Sequence, residues 1–481
     1  MAANHTLFLD MDGIESRHNV VQTVVEATKH PDNPLLPLGD LHEWDALQAR
    51  PWETNTIIYD AEEQLFKCWY AGSDISTERW WATGYAVSDD GVHWSKPRLC
   101  LHEYQGSTDN NICVPGYGPI MQDTEDTLER RYKMVLHGGP WTEGVGRRVA
   151  YSPDGINWEP GPPIASNTPG IIALFRDDQE PNRQRRYKAV YFGRVQTNKA
   201  ATPARVRTKC LAYGPDIEHL TPSLANPIIS PNDGLEQEVH FLQLTPYEGQ
   251  YVMLYEYGWY VPNGTGLFGQ YAADIRLAVS RDGEHFQRVQ PHQPVIRRGQ
   301  HGSWDSQFLI ISGLTVVRDD LIYLYYAGQG EDWTQWPGEN KRAEYRYASS
   351  GSVRLSRMGL ATLPRDRWTC LETTDRETPG SVTTRPLHIP RAGTGLVLNV
   401  SDTQQNRSWL EVEVLAADRD EPLPGFGRSD CEDVCRDGVV VPVRWSERRL
   451  GDLADTRVRL RFWLCGAARL YSWSFEQDTA P

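Results

Sequence analysis

Apolar and polar positions along the chain alternate in short runs, and the runs recur in a fixed order. An apolar run ending in aromatic pairs reads LFKCWYAG at 65–72, RYKMVLHG at 131–138, RYKAVYFG at 186–193, QYVMLYEYG at 250–258 and LIYLYYAG at 321–328. Each follows another apolar run: NTIIYD, NNICVP, GIIALFRD, EVHFLQL and SQFLIIS. Each precedes a third run, and in three copies a polar turn closed by an aromatic comes next, as AVSDDGVHW (86–94), AYSPDGINW (150–158) and AVSRDGEHF (278–286). Asp-Gly at the centre suits a tight turn, and the flanking alternation has the period of a half-buried strand. The third unit carries a degraded turn, AYGPDIEHL, and the fifth has lost it. Helix-period segments are nearly absent.

Four antiparallel strands repeated five times, with a period of roughly 65 residues, predict an all-β fold, a five-bladed β-propeller over residues 1–370. Radial repetition protects strand edges, which keeps so strand-rich a chain from aggregating. The early run NVVQTVVEA (19–27) is expected to supply the outer strand that closes the ring. Beyond residue 370 the texture changes to short alternating runs such as WLEVEVLA and RVRLRFWL, separated by Gly, Pro and Asp. This pattern predicts a β-sandwich domain over 371–481.

Composition narrows the partners. The net charge is 49 − 64 = −15, which argues against nucleic acid or an anionic membrane. No run of about 18 apolar residues exists, so no membrane span is expected. The start, MAANHTLFLDMDG, lacks the basic and apolar regions of a secretory leader, and a cytoplasmic location is expected. Eight scattered cysteines read as free thiols of a reducing compartment. Neither a metal nor a cofactor is expected, and self-association is left open. With 17 Trp and 22 Tyr, aromatic faces are plentiful for a small carbohydrate substrate.

This repeat texture, with its C-terminal sandwich, resembles the five-bladed propeller glycoside hydrolases, the fructosidase-like and arabinanase-like superfamily. The resemblance spans nearly the whole chain and implies the fold and a glycosidase activity. The family's specific motifs are not matched. Where fructosidases carry Trp-x-Asn-Asp-Pro, this chain has RPWETNTIIYD; where they carry Arg-Asp-Pro, it has STDNNICVP. The third unit has no acid at the start of its first strand, and Asp177 at that strand's end is expected on the rim.

In a propeller the innermost strands line a central channel, so polar residues at their starts are the candidates for the site. They are Trp52, Glu53 and Asn55; Asp109, Asn110 and Asn111; Asn167 and Thr168; Glu236, Glu238 and His240; and His301, Trp304, Asp305 and Ser306. Glycoside hydrolysis needs one carboxylic acid to protonate the leaving oxygen and a second carboxylate to attack or to activate water. Glu53, Glu238 and Asp305 are the expected catalytic set. Trp52, Asn55, Asp109, Asn110, Glu236, His240, His301 and Trp304 are the expected substrate-binding residues. Trp259 and Tyr260 add stacking faces, and Glu331, Asp332, Trp333 and Trp336 form a candidate pocket wall.

Three rival readings follow. FLDMDG at 8–13 resembles the opening of haloacid-dehalogenase phosphatases. That reading requires alternating strands and helices downstream, which are missing, so Asp10 and Asp12 are expected in an N-terminal turn. A non-catalytic carbohydrate-binding propeller would need aromatics and amides but no acid pair. A glycoside phosphorylase would need two or more Arg or Lys at the channel mouth. The strand starts hold none, although Arg50, Arg297 and Arg298 lie close.

Overall fold

The computed structural model describes residues 5–40, 42–51, 56–74, 81–164, 167–196, 205–231, 236–261, 270–311, 313–330, 356–390 and 394–477. The architecture is all-β: among these residues the only helical elements are short 3-10 turns. Among these residues no helix is long and apolar enough to cross a membrane, and all eight cysteines are free thiols.

The repeated units fold as antiparallel meanders. Unit two pairs Ile120–Gln122, Tyr132–Leu136, Arg148–Ser152 and Glu159–Pro163 in order. Unit three does the same from Ile171–Arg176 to Thr221–Pro222, and unit four from Leu242–Tyr247 to Gln287–Val289. In unit one, Thr56–Asp60, Leu65–Ser73 and Trp81–Ser88 pair, with a Val87–Ser95 bridge at the outer side. In unit five, Val316–Arg318, Leu321–Gln329 and Arg357–Pro364 pair, and Thr28–Lys29 adds the fourth strand.

Closure from the N-terminus therefore comes from Thr28–Lys29 rather than from the expected run 19–27. Val20–Val24 instead pairs with Thr369–Thr373. With His5–Leu7 and Ile14–His18, it belongs to the two sheets built largely from residues beyond 370. Residues 5–24 are thus woven into the sandwich. Their alternating apolar positions find a vacant sheet edge there, with Val20 and Phe8 inside its core. The sandwich strands behave as their pattern requires: in Arg457–Cys465, buried and partly exposed residues alternate.

Five apolar cores join the meanders cyclically. Trp69 and Tyr132 pack between units one and two, Val135 and Leu174 between two and three, and Val190 and Tyr255 between three and four. Leu254 and Leu324 pack between four and five, and Phe66 and Tyr325 between five and one. Polar staples reinforce three of these joints. Asp60 takes Lys67 at 2.9 Å and the Tyr132 hydroxyl of the next unit at 3.3 Å. Asp123, Lys133 and Tyr187 repeat the arrangement, as do Asp177, Lys188 and Tyr251. Asp177 is fully buried in its staple, not on the rim. A buried carboxylate is tolerated there because an ammonium and a hydroxyl satisfy it.

The polar turns are joints as well. In the second copy, Gly155 N donates to Ser152 Oγ at 2.8 Å, and Ile156 N and Asn157 N donate to Asp154 at 2.8 Å. The carbonyl of Gly155 accepts Trp69 Nε1 of unit one at 2.6 Å. In the first copy, the Gly91 carbonyl accepts the Tyr325 hydroxyl of unit five at 2.9 Å. Gly91, Gly155 and Gly283 have φ of 78°, 77° and 75°, the left-handed region that glycine enters without cost. Even the degraded turn keeps its central acid: Glu218 N and His219 N both donate to Asp216.

Candidate functional site

All five units contribute to one cavity of about 1550 Å³. In units one, two and five the inner strand is broken, and the piece before the break leans on the preceding unit. Gln48–Arg50 pairs with Arg357–Pro364, Ile112–Val114 with Trp81–Ser88, and Phe308–Ile310 with Gln270–Ser280. These pieces, with the far ends of the second strands and the beginnings of the third, form the wall. Gln48, Arg50 and Trp81 come from unit one, Tyr117 from unit two, Phe192, Arg194 and Arg207 from unit three, His240 and Phe241 from unit four, and Phe308 and Gln329 from unit five.

One side of this wall carries a cluster of ionisable groups. Leu211 to Arg207 and His240 to Glu238 bring alternate residues to a common face by the period of two. Glu238 Oε2 lies 2.5 Å from His240 Nε2 and 3.1 Å from Arg207 Nη1. On the other side of the ring, His240 Nδ1 is 3.9 Å from Glu256 Oε1. Glu256 accepts the Tyr271 hydroxyl at 2.7 Å and Phe241 N at 3.0 Å. Tyr271 packs against the imidazole with ring centres 5.1 Å apart. Lys209 donates to the Val239 carbonyl and lies over the Phe192 ring.

Burial sets the charges. Loss of solvent pushes the Glu256 carboxyl up to about 8, against the pull of the Tyr271 hydrogen bond and Lys209. It pushes Lys209 down to about 7, opposed by Glu256. It holds His240 down to about 4, although Glu238 favours the imidazolium. A low-dielectric site disfavours whichever form is charged. At neutral pH the imidazole is neutral and Glu256 holds a proton. The face therefore contains a proton donor, a neutral ring able to relay, and a carboxylate fixed by an arginine. That set can move a proton to or from a bound group.

The expected residues divide sharply. His240 lines the cavity, with Glu238 directly behind it. Glu236 does not line it: its side chain is fully enclosed and held by Arg288 Nη2 at 2.7 Å. Asp109 sits on an exposed loop, 3.1 Å from Arg98, and Asn110 braces that loop through the His102 carbonyl. Asn111 is buried between Trp44 and Tyr70. Asp305 is also buried. It accepts Lys29 Nζ at 2.5 Å and the Tyr326 hydroxyl at 3.1 Å, and Trp304 stacks on Tyr326 at 5.8 Å. His301 is exposed on the loop before them.

Asp305 has a twin. Asp45 accepts Lys96 at 2.5 Å and Tyr70 at 2.6 Å, while Trp44 stacks on Tyr70 at 5.5 Å. Gly72 and Gly328 make room for the two indoles. EWDALQAR (43–50) and SWDSQFLI (303–310) are therefore one repeat. The strand-start reading covers one copy of this repeat and not the other. Trp52, Glu53, Asn55, Glu331, Asp332, Trp333 and Trp336 lie outside the described residues. Asp10 sits in an N-terminal turn and pairs with Arg281 at 2.7 Å, as a structural acid would.

Sequence reasoning missed Arg194, Arg207 and Glu256. The signal for the two arginines was available: the second and third strands of unit three continue past the aromatic run as FGRV and RVRTK. Arg297 pairs with Glu26, and Arg298 with Asp274 over the Trp259 ring. Arg50, Arg194 and Arg207 line the cavity. Among the described residues no group of three or more His, Cys, Asp or Glu is placed to hold a metal ion.

No family model matches the chain, and no curated protein matches it. Among solved structures it is similar to a protein of the GH130 family of mannoside phosphorylases, a family described as containing hydrolases of β-1,2 mannosidic linkages in Candida mannan. That match has 15% identity and a TM-score of 0.46, covering 71% of this chain and 94% of the other. A glycosyl hydrolase from Bacteroides ovatus gives 16%, 0.45, 72% and 95% in the same terms. A fructofuranosidase from Schwanniomyces occidentalis, complexed with fructosylnystose, gives 10%, 0.40, 92% and 99%. At this level of similarity, the chemistry of the site rests on its own residues.

Proposed function

We propose that the chain is a glycoside-active enzyme, a ring of five four-stranded blades whose reaction takes place against the Glu238–His240 face of the central cavity. The observation that carries this reading is the 2.5 Å contact between a cavity-lining imidazole and a carboxylate anchored by Arg207. Buried acid–base pairs of this kind are costly unless satisfied, and they cluster at sites where protons move. The aromatic groups Trp81, Tyr117, Phe192 and Phe308 on the same wall offer faces for sugar rings.

Glu238, with His240, supplies the acid–base function, and Glu53 is the expected second carboxylate. The finer reading is exo-acting hydrolysis of a furanoside or a related short oligosaccharide, for which a cavity of about 1550 Å³ leaves ample room. Phosphorolysis is the second reading, favoured by Arg50, Arg194 and Arg207 on the wall. Aryl glycosides and short fructans and arabinans, incubated with and without inorganic phosphate, separate the two. Free sugar from either mixture at equal rates means hydrolysis; sugar phosphate formed only with phosphate present means phosphorolysis.

A further inference from the structure

Arg194 and Arg207 are direct cross-strand partners in the antiparallel pair Tyr187–Gln196 and Arg205–Gly214. Both line the cavity. Like charges placed directly opposite on one face of a sheet destabilise it. Lys209 follows on the same face, two residues along, by the period of the strand. Among the described residues compensation is incomplete. Arg207 is engaged by Glu238 at 3.1 Å, and Lys209 faces Glu256 in the interior. Arg194 has no hydrogen-bond or ion-pair partner among the described residues and remains exposed to the cavity. Arg50 adds a further guanidinium to the wall, with Nη1 donating to Ser356 at 2.6 Å. The acids on the wall, Glu103 and Glu143, are exposed. All this stands in a chain of net charge −15, where an excess of cations is against the average.

We infer that Arg194 and Arg207 together hold an oxyanion of the ligand, either a carboxylate carried on a sugar ring or free phosphate. A guanidinium is a planar fork that matches both anions, and its pairing strengthens where solvent is restricted. The anion supplies the charge that the two opposed arginines lack. Its position beside Glu238 places the group bearing it next to the acid–base face. The inference rests on the proposed site but asks for a ligand that the fructosidase-like resemblance does not imply.

Isothermal titration with galacturonate, glucuronate, galactose, glucose and inorganic phosphate tests it on the full chain. At least one acidic ligand should bind about tenfold or more tightly than the neutral sugars, with a preference that shrinks as salt rises. Arg194→Gln should abolish that preference, and Arg194→Lys should restore part of it. The exposed position of Arg194 lets both variants fold, and their unfolding midpoints should match the parent. Preference for the uronates places the anion on the sugar; preference for phosphate, competed by uronate, places it free. Equal binding of acidic and neutral ligands, or a preference that survives Arg194→Gln, overturns the inference. Binding is read without turnover, so a failure to cleave any glycoside would remove the enzymatic reading and leave this one standing. Cleavage of neutral glycosides without an anionic preference would do the reverse.

Discussion

His240 presents its Nε2 to the Glu238 carboxylate at 2.5 Å while the same ring borders the cavity. Burial nevertheless holds the imidazole down to about 4, with Arg207 and Lys209 opposing protonation and Glu238 favouring it. A depressed histidine stabilises the fold above its ordinary value near 6.5, and that contribution fades as pH falls toward 4. His240 should therefore show no imidazolium signal by NMR above about pH 5. A titration midpoint near 6.5 would contradict the buried, neutral ring.

Glu256 has the opposite sign. Burial raises its carboxyl from an ordinary 4.5 to about 8, so its protonated form belongs to the folded state. Its contribution is full below about 4.5 and declines as pH rises through 8. Glu238, His240, Lys209 and Tyr271 face it, and Lys209, pushed down to about 7, acts in the other direction at higher pH. Glu256→Gln should gain stability relative to the parent between pH 5 and pH 8, measured by urea unfolding at each pH. A constant difference across that window would mean that Glu256 is ionised throughout.

Asp305 and Asp45 share one architecture: a lysine, a tyrosine hydroxyl and a stacked indole. Asp305→Asn should lower stability by about 1–3 kcal/mol, since Lys29 loses its charge partner. Turnover should change little. Loss of turnover with an unchanged unfolding midpoint would return Asp305 to the chemistry.

The polar turns carry the joints between units. A β-carbon at Gly155 would lie 2.4 Å from the Trp69 ring, in a backbone with φ of 77°. Gly155→Ala should cost about 2–4 kcal/mol, from backbone strain and displaced packing together. Thermal or urea unfolding measures it. A neutral effect would mean that the turn moves freely against unit one.

Much of this was legible in the chain. The aromatic second strands and the Ser-x-Asp-Gly turns lie where their pattern put them, because period-two alternation and left-handed glycines are local properties. The sandwich strand Arg457–Cys465 was legible for the same reason. The fate of Val20–Val24 was not, since two sheets could equally accept an apolar edge strand and only tertiary contact decides between them. The site was half legible. Glu238 and His240 stand out as polar residues opening an apolar strand. Asp305 looks the same in sequence, yet its lysine lies 276 residues away. Arg194 and Arg207 reach the cavity only because the two strands of unit three run on beyond their aromatic core.

The central claim is that Glu238 and His240 perform acid–base work on a bound glycoside. Its most direct test is steady-state turnover of the best substrate from a glycoside panel by the parent and by Glu238→Gln, with unfolding midpoints measured alongside. A fall in kcat/KM of about 10²–10³ with the fold intact is the predicted result. Full activity in the amide variant would contradict the claim.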